Sequence, residues 1–269
     1  MNLPLFQTLF QTLARRLFGI LAAVLLMPAQ AEPTIAAASD LKFALDEIAT
    51  TFQASSGQAV KLVYGSSGNF YRQIAQGAPF ELFLSADEDF VFKLADQGLT
   101  PDRGRLYAIG RIVLFIPKGS PVPADTAFEP QLVQLRRALG EGRVLKFAIA
   151  NPDHAPYGRA AMEALKSLDL WTTIQPRLVL GENVSQAAQF AVSGSAQAGI
   201  FAYSLALAPQ FGRAGSAVLI PETLHQPLRQ RMVLTRKAGA VAQAFHTYLQ
   251  QPAARAVFMR HGFALPGEQ

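Results

Sequence analysis

Apolar runs alternate with amphipathic segments from Thr34 to the C-terminal residues, and this alternation constrains the fold more than anything else in the chain. "TIAAAS" reads as a buried strand, and the next segment places Leu41, Leu45, Ile48 and Phe52 on one helical face. "AVKLVYG" and "NFYRQIAQG" repeat the strand–helix pair, with Gly77 as the stop, and "FELFLSAD" opens a third. After a loop holding Pro121, Pro123 and Pro130 the pattern resumes: "KFAIANP", "GRAAMEALKSLDLW", "RLVLGEN", "VSQAAQFAVSG", "AGIFAYS". Strands alternating with helices predict an α/β fold, each sheet flanked by helices. Long extended runs at Tyr107–Gly119 and Arg229–Lys237 join the two series, which predicts two lobes with a ligand cleft between them. The expected division puts residues 32–108 and 231–269 in lobe 1 and 109–230 in lobe 2. Two C-terminal helices, near 241–250 and 252–261, are assigned to the first lobe.

Composition narrows the function. Half of the 269 residues are hydrophobic and only 16% are charged, which excludes a disordered chain. The formal charge is +5, and no Lys/Arg run is interleaved with aromatics, so nucleic acid is not an expected partner. There is no cysteine, which excludes disulfides, thiolate metal sites and cysteine nucleophiles. Arg15 and Arg16 precede "LFGILAAVLLMPAQA", a short apolar stretch ending in Ala29-Gln30-Ala31. That is the pattern of a cleavable secretory signal, with cleavage expected after Ala31 and a mature charge of +3. Leu17–Met27 falls well short of the ~20 apolar residues of a membrane span, and "ARRLFGI" is a poor twin-arginine match. The expected location is the periplasm.

The chemistry is expected at four strand-to-helix corners: "AASDL", "GSSGNF", "NPDHAPYG" and "GENVSQ". In open α/β sheets ligands collect at the carboxyl ends of strands, where helix N-termini offer unpaired N–H groups to anions. Each corner also has a plainer use. Ser39 or Asp40 suits a helix cap, and Gly65 and Gly68 suit a tight turn. Tyr157 is either a packing aromatic or a phenolic donor, and Val184 can offer only its backbone N–H. The usual catalytic signals are missing. "GSSGN" is not the G-x-S-x-G elbow, "GEGRVL" fails as a phosphate loop, and His154, His225, His246 and His261 show no metal spacing. His154 reads as a surface-loop histidine. A secreted hydrolase using Ser66 or Ser67 lacks a histidine identifiably placed to activate either one. A ligand-sensing regulatory domain is the third option, and the export signal argues against it.

At these corners the sequence resembles the periplasmic molybdate-binding proteins of ABC importers over nearly the whole chain that follows the signal. "AAASDLKFALDEI", "GSSGNFYRQIAQGAPFELFLSADEDF", "YAIGRIVLFIPKG", "ANPDHAPYG" and "GENVSQ" carry the likeness. The resemblance implies a type II periplasmic binding-protein fold: a monomer, not an enzyme, that closes on a small oxyanion and is read by a membrane ABC permease. It implies molybdate, and tungstate with it, as the ligand; sulfate or phosphate is the alternative. It implies contacts from Ser39, Ser67, Tyr157 and the Val184 N–H, with Asp40 contributing through its own N–H as in some members. These groups would meet the oxygens of molybdate, with no direct bond to the metal and no cofactor. The Asp40 carboxylate sits awkwardly beside a dianion. It is expected to turn away as a helix cap; the alternative is that it accepts a proton from the ligand, which would favour monohydrogen phosphate.

Overall fold

The computed structural model describes residues 32–267, so the expected signal segment lies outside the described residues. The first sheet is ordered β2-β1-β3-β10-β4. Its strands are β1 (Thr34–Ala38), β2 (Lys61–Gly65), β3 (Phe80–Ser85), β4 (Arg105–Gly110) and, arriving last in the chain, β10 (Leu228–Leu234). β1 pairs in parallel with both β2 and β3, while β10 runs antiparallel between β3 and β4. Helices α1 (Lys42–Ser56), α2 (Ser67–Ala75) and α3 (Glu88–Asp96) make the connections. Ile35 to Ala38 are buried to a residue, as expected of a central parallel strand covered on both faces.

The second sheet is ordered β7-β6-β8-β5-β9. It comprises β5 (Ile112–Pro117), β6 (Phe147–Ala150), β7 (Leu178–Gly181), β8 (Ala198–Ala202) and β9 (Gly215–Leu219). Around it lie α4 (Phe128–Gly140), α5 (Pro156–Ser167), α6 (Trp171–Ile174), α7 (Val184–Val192), α8 (Tyr203–Ala206) and α9 (Pro209–Ala214). The C-terminal helices α10 (Ala240–Tyr248) and α11 (Pro252–Arg260) return to the first lobe: Phe52 of α1 packs edge-on against Phe245, and Tyr107 packs against Phe258. Residues 33–267 belong to one unit, with most of the core continuous from Ile35 to Leu265.

Four details differ from the sequence expectation. The run Tyr107–Gly119 is broken at Arg111, with β4 in one sheet and β5 in the other, so the chain passes between lobes there. The return passage lies between Leu219 and Leu228, and Arg229 and Gln230 already belong to the first sheet. β9, which pairs with β5, was not anticipated, because its burial is mixed and it shows no clear period-two pattern. Helix α2 also starts earlier than "NFYRQIAQG" suggests: Ser66 is its cap, with Oγ accepting from the Asn69 N–H.

Candidate functional site

The four corners meet. A small cavity is walled by Ser39, Asp40, Ser66 and Ser67 from the first lobe and by Pro156, Tyr157 and Val184 from the second, with small residues between them. All five residues singled out in the sequence, Ser39, Asp40, Ser67, Tyr157 and Val184, line it and are buried. Each follows a strand's carboxyl end. Ser39 and Asp40 leave β1 in a 3-10 turn, Ser67 is the first residue of α2, Tyr157 follows Pro156 at the start of α5, and Val184 opens α7. First-turn N–H groups have no partner inside their own helix, so three helices of nine residues or more present donors to one space. Gly158 lets α5 begin this close to β6, since a Cβ there would collide with the Ala150 carbonyl.

The hydroxyls are not equally free. Ser67 Oγ accepts from the Ala86 N–H at 2.9 Å, which leaves its proton for the cavity. Ser39 Oγ donates across the cleft to Asn183 Oδ1 at 3.1 Å and accepts from the Ser185 N–H. Tyr157 Oη donates to Asp40 Oδ2 at 2.9 Å.

Asp40 does not act as the helix cap expected of it. Ala38 holds the cap position of the Ser39–Leu41 turn, and no side chain caps it. Asp40 lies inside the turn, 1% exposed, and its carboxylate is met by Tyr157 and by Gln230 Nε2 at 2.6 Å. The physical reason is distance: the β1 corner faces Tyr157 and Gln230 directly, and their donors outcompete a local backbone N–H. Tyr107 Oη donates to Gln230 Oε1 at 2.7 Å, which fixes the orientation of the Gln230 amide. Ser204 Oγ donates to the Asp40 carbonyl at 2.8 Å. Burial pushes the Asp40 carboxyl up to about 6, against the pull of its Gln230 and Tyr157 hydrogen bonds. The same burial, reinforced by Asp40, holds the Tyr157 hydroxyl well above its ordinary range.

His154 is not a surface-loop histidine. Its side chain is 10% exposed, and Nδ1 lies 2.9 Å from Ser66 Oγ, so a histidine does stand against one of the two serines. The pair crosses the cleft. Beside it the Gly68 N–H donates to the His154 carbonyl at 3.0 Å, Asn69 bonds Glu182, and Glu182 Oε2 lies 3.6 Å from His154 Nε2. Arg159 and Asp87 form an ion pair across the rim. Gln230, Tyr107 and His154 were missed as site residues. Gln230 had a legible signal: in β10 it shares its face with Leu228 and Met232, a polar residue on an apolar stripe.

Nothing cationic lines the cavity, and among the described residues no cluster of three His, Cys, Asp or Glu could hold a metal ion. What remains is a small space lined by hydroxyls, helix N-termini and the Asp40 carboxyl.

Known proteins resemble this chain in sequence and fold. The profile of the family described as bacterial extracellular solute-binding protein matches residues 33–264. The molybdate-binding protein ModA of Rhodobacter capsulatus is 36% identical over 248 residues, spanning 89% of this chain and 91% of that protein. The ModA of Azotobacter vinelandii is 34% identical over 94% of this chain and 98% of its own. The solved structure of the Azotobacter vinelandii periplasmic molybdate-binding protein superimposes with a TM-score of 0.77 at 32% identity, covering 87% of this chain and all of that one. The chain therefore belongs to the bacterial extracellular solute-binding proteins, within their ModA group.

Proposed function

We propose that this protein encloses molybdate, and tungstate with it, between its lobes in the periplasm and presents the closed form, as a monomer, to the permease of an ABC importer. The observation that carries the reading is the cavity wall: Ser39, Ser67, Tyr157 and the N-terminus of α7 at Val184 converge with no Lys, Arg or His. A fully deprotonated tetrahedral dianion offers only acceptors, and hydroxyls with helix N-termini answer with donors that carry no formal charge. Ser39, Ser67, Tyr157 and the Val184 N–H would meet ligand oxygens, and none would bond the metal. The names of the ModA relatives support the choice of molybdate.

Binding without turnover is the role this geometry favours. Ser66 Oγ already serves as the cap of α2, and its His154 partner comes from the other lobe, so their bond acts as a clasp across the closed cleft. Calorimetric titration of residues 32–269 with molybdate, tungstate, sulfate and phosphate tests the reading. Tight binding of the first two alone supports it, and no heat with molybdate overturns it.

A further inference from the structure

The Asp40 carboxyl is fully enclosed in the cavity wall, and its Oδ1 is one of three buried side-chain polar atoms without a hydrogen-bond partner among the described residues. Its other oxygen takes the Tyr157 hydroxyl proton and a Gln230 amide proton. Tyr157 has one proton to give. While Asp40 is ionised, that proton is committed to Asp40 and cannot point to a ligand oxygen. A dianion entering beside it would also add like charge to a dry site. Both difficulties end if the carboxyl is neutral: an acid O–H can donate to Tyr157 Oη, which turns its own proton outward, while Gln230 Nε2, 3.0 Å from Tyr157 Oη, holds the phenol in place.

We infer that oxyanion capture is coupled to protonation of Asp40: one proton from solvent adds to the carboxylate, and neutral Asp40 releases the Tyr157 hydroxyl to the ligand. The inference rests on the oxyanion reading above and names its specificity switch. The only bond formed is O–H on Asp40, and nothing is oxidised or reduced. The groups facing Asp40 are uncharged on every packed element: Tyr157 from α5, Gln230 from β10, Tyr107 from β4, Ser204 from α8, and Ser39 on its own turn. No charged side chain enters among the influences on its carboxyl. With a carboxyl already lifted to about 6 by burial, the free protein is ionised at pH 8, and the proton must arrive with the ligand. A monohydrogen oxyanion brings that proton with it, which makes Asp40 the residue that weighs proton-bearing ligands against bare dianions.

The test is titration of residues 32–269 with sodium molybdate at pH 6, 7 and 8, in two buffers of different ionisation enthalpy at each pH. The expected result at pH 8 is uptake of about one proton per molybdate, with affinity falling about tenfold between pH 7 and pH 8. Asp40→Asn should bind with no proton uptake and a flat pH profile. Wild-type binding with no proton uptake at pH 8 and pH-independent affinity would overturn the inference while leaving the receptor reading intact. Absence of molybdate binding at every pH would instead remove the receptor reading, and the inference with it. The wild-type arm decides even if the variant does not fold.

Discussion

Gly68→Ala should separate ligand affinity from fold stability. Gly68 is the second residue of α2, and its N–H donates to the His154 carbonyl on the opposite lobe at 3.0 Å. A Cβ there would lie 2.6 Å from that carbonyl oxygen and 3.0 Å from the His154 Cα and Cβ. Ordinary contact begins near 3.4 Å, so the two lobes must part locally by about 0.8 Å. That separation weakens the Gly68–His154 and Ser66–His154 bonds, each worth about 0.5–1.5 kcal/mol net. The expected loss is about 1–3 kcal/mol, or roughly five- to 150-fold in molybdate affinity. Within its own lobe the substitution replaces glycine by a better helix former, worth up to about 1 kcal/mol. The unliganded protein should therefore melt at the same temperature or slightly higher, while the rise in Tm on adding molybdate shrinks. Calorimetric titration and thermal unfolding with and without ligand read both quantities. Wild-type affinity would refute the reasoning, and so would a lower Tm without ligand, because the clash would then lie inside the lobe.

Ser67→Ala should weaken molybdate by about 1 kcal/mol or more, since it removes the hydroxyl whose proton is least committed and orphans the Ala86 N–H; titration checks this. Tyr157→Phe should cost a similar amount, about 1 kcal/mol or more, by removing a phenolic donor from the cavity and leaving Asp40 with Gln230 as its one remaining side-chain donor; the same titration checks this. Asp40 itself gives a stability prediction. Its carboxyl is raised from 3.8 to about 6 by folding, so the stability it contributes is present below pH 3.8 and lost as pH rises through 6. Asp40→Asn, which cannot ionise, should recover on the order of 3 kcal/mol at pH 8 in the unliganded protein, measured by denaturant unfolding; an unchanged midpoint would show that Asp40 is not ionised there.

The alternation of strands and helices, and the convergence of four corners, were legible because both depend on local patterns. Strand ends and helix starts are marked by Gly, Ser and Asn, and sheets of this kind gather those ends on one side. What the corners do to one another was not legible. Gln230 reaches Asp40 from 190 residues away, and Tyr157 from 117 residues away, through pairing that no local spacing reveals. Asp40 is a good cap residue by type, and only the arrival of those partners turns it from cap to buried acid. His154 likewise sits in a turn rich in polar residues, and is covered because Ser66 and Gly68 arrive from the other lobe.

β10 is late in the chain yet sits between β3 and β4 in the middle of its sheet. During synthesis the second lobe has all five of its strands by Leu219, whereas β3 and β4 each keep an open edge until Leu228–Leu234 emerges. Assembly of the first lobe must wait for about the last sixth of the polypeptide, and the exposed edges invite wrong pairing in the interval. The strand that closes this gap also delivers Gln230 to Asp40. The buried acid therefore gains its amide donor in the same step that seals the sheet, and a nascent chain stopped short of Leu228 would have neither.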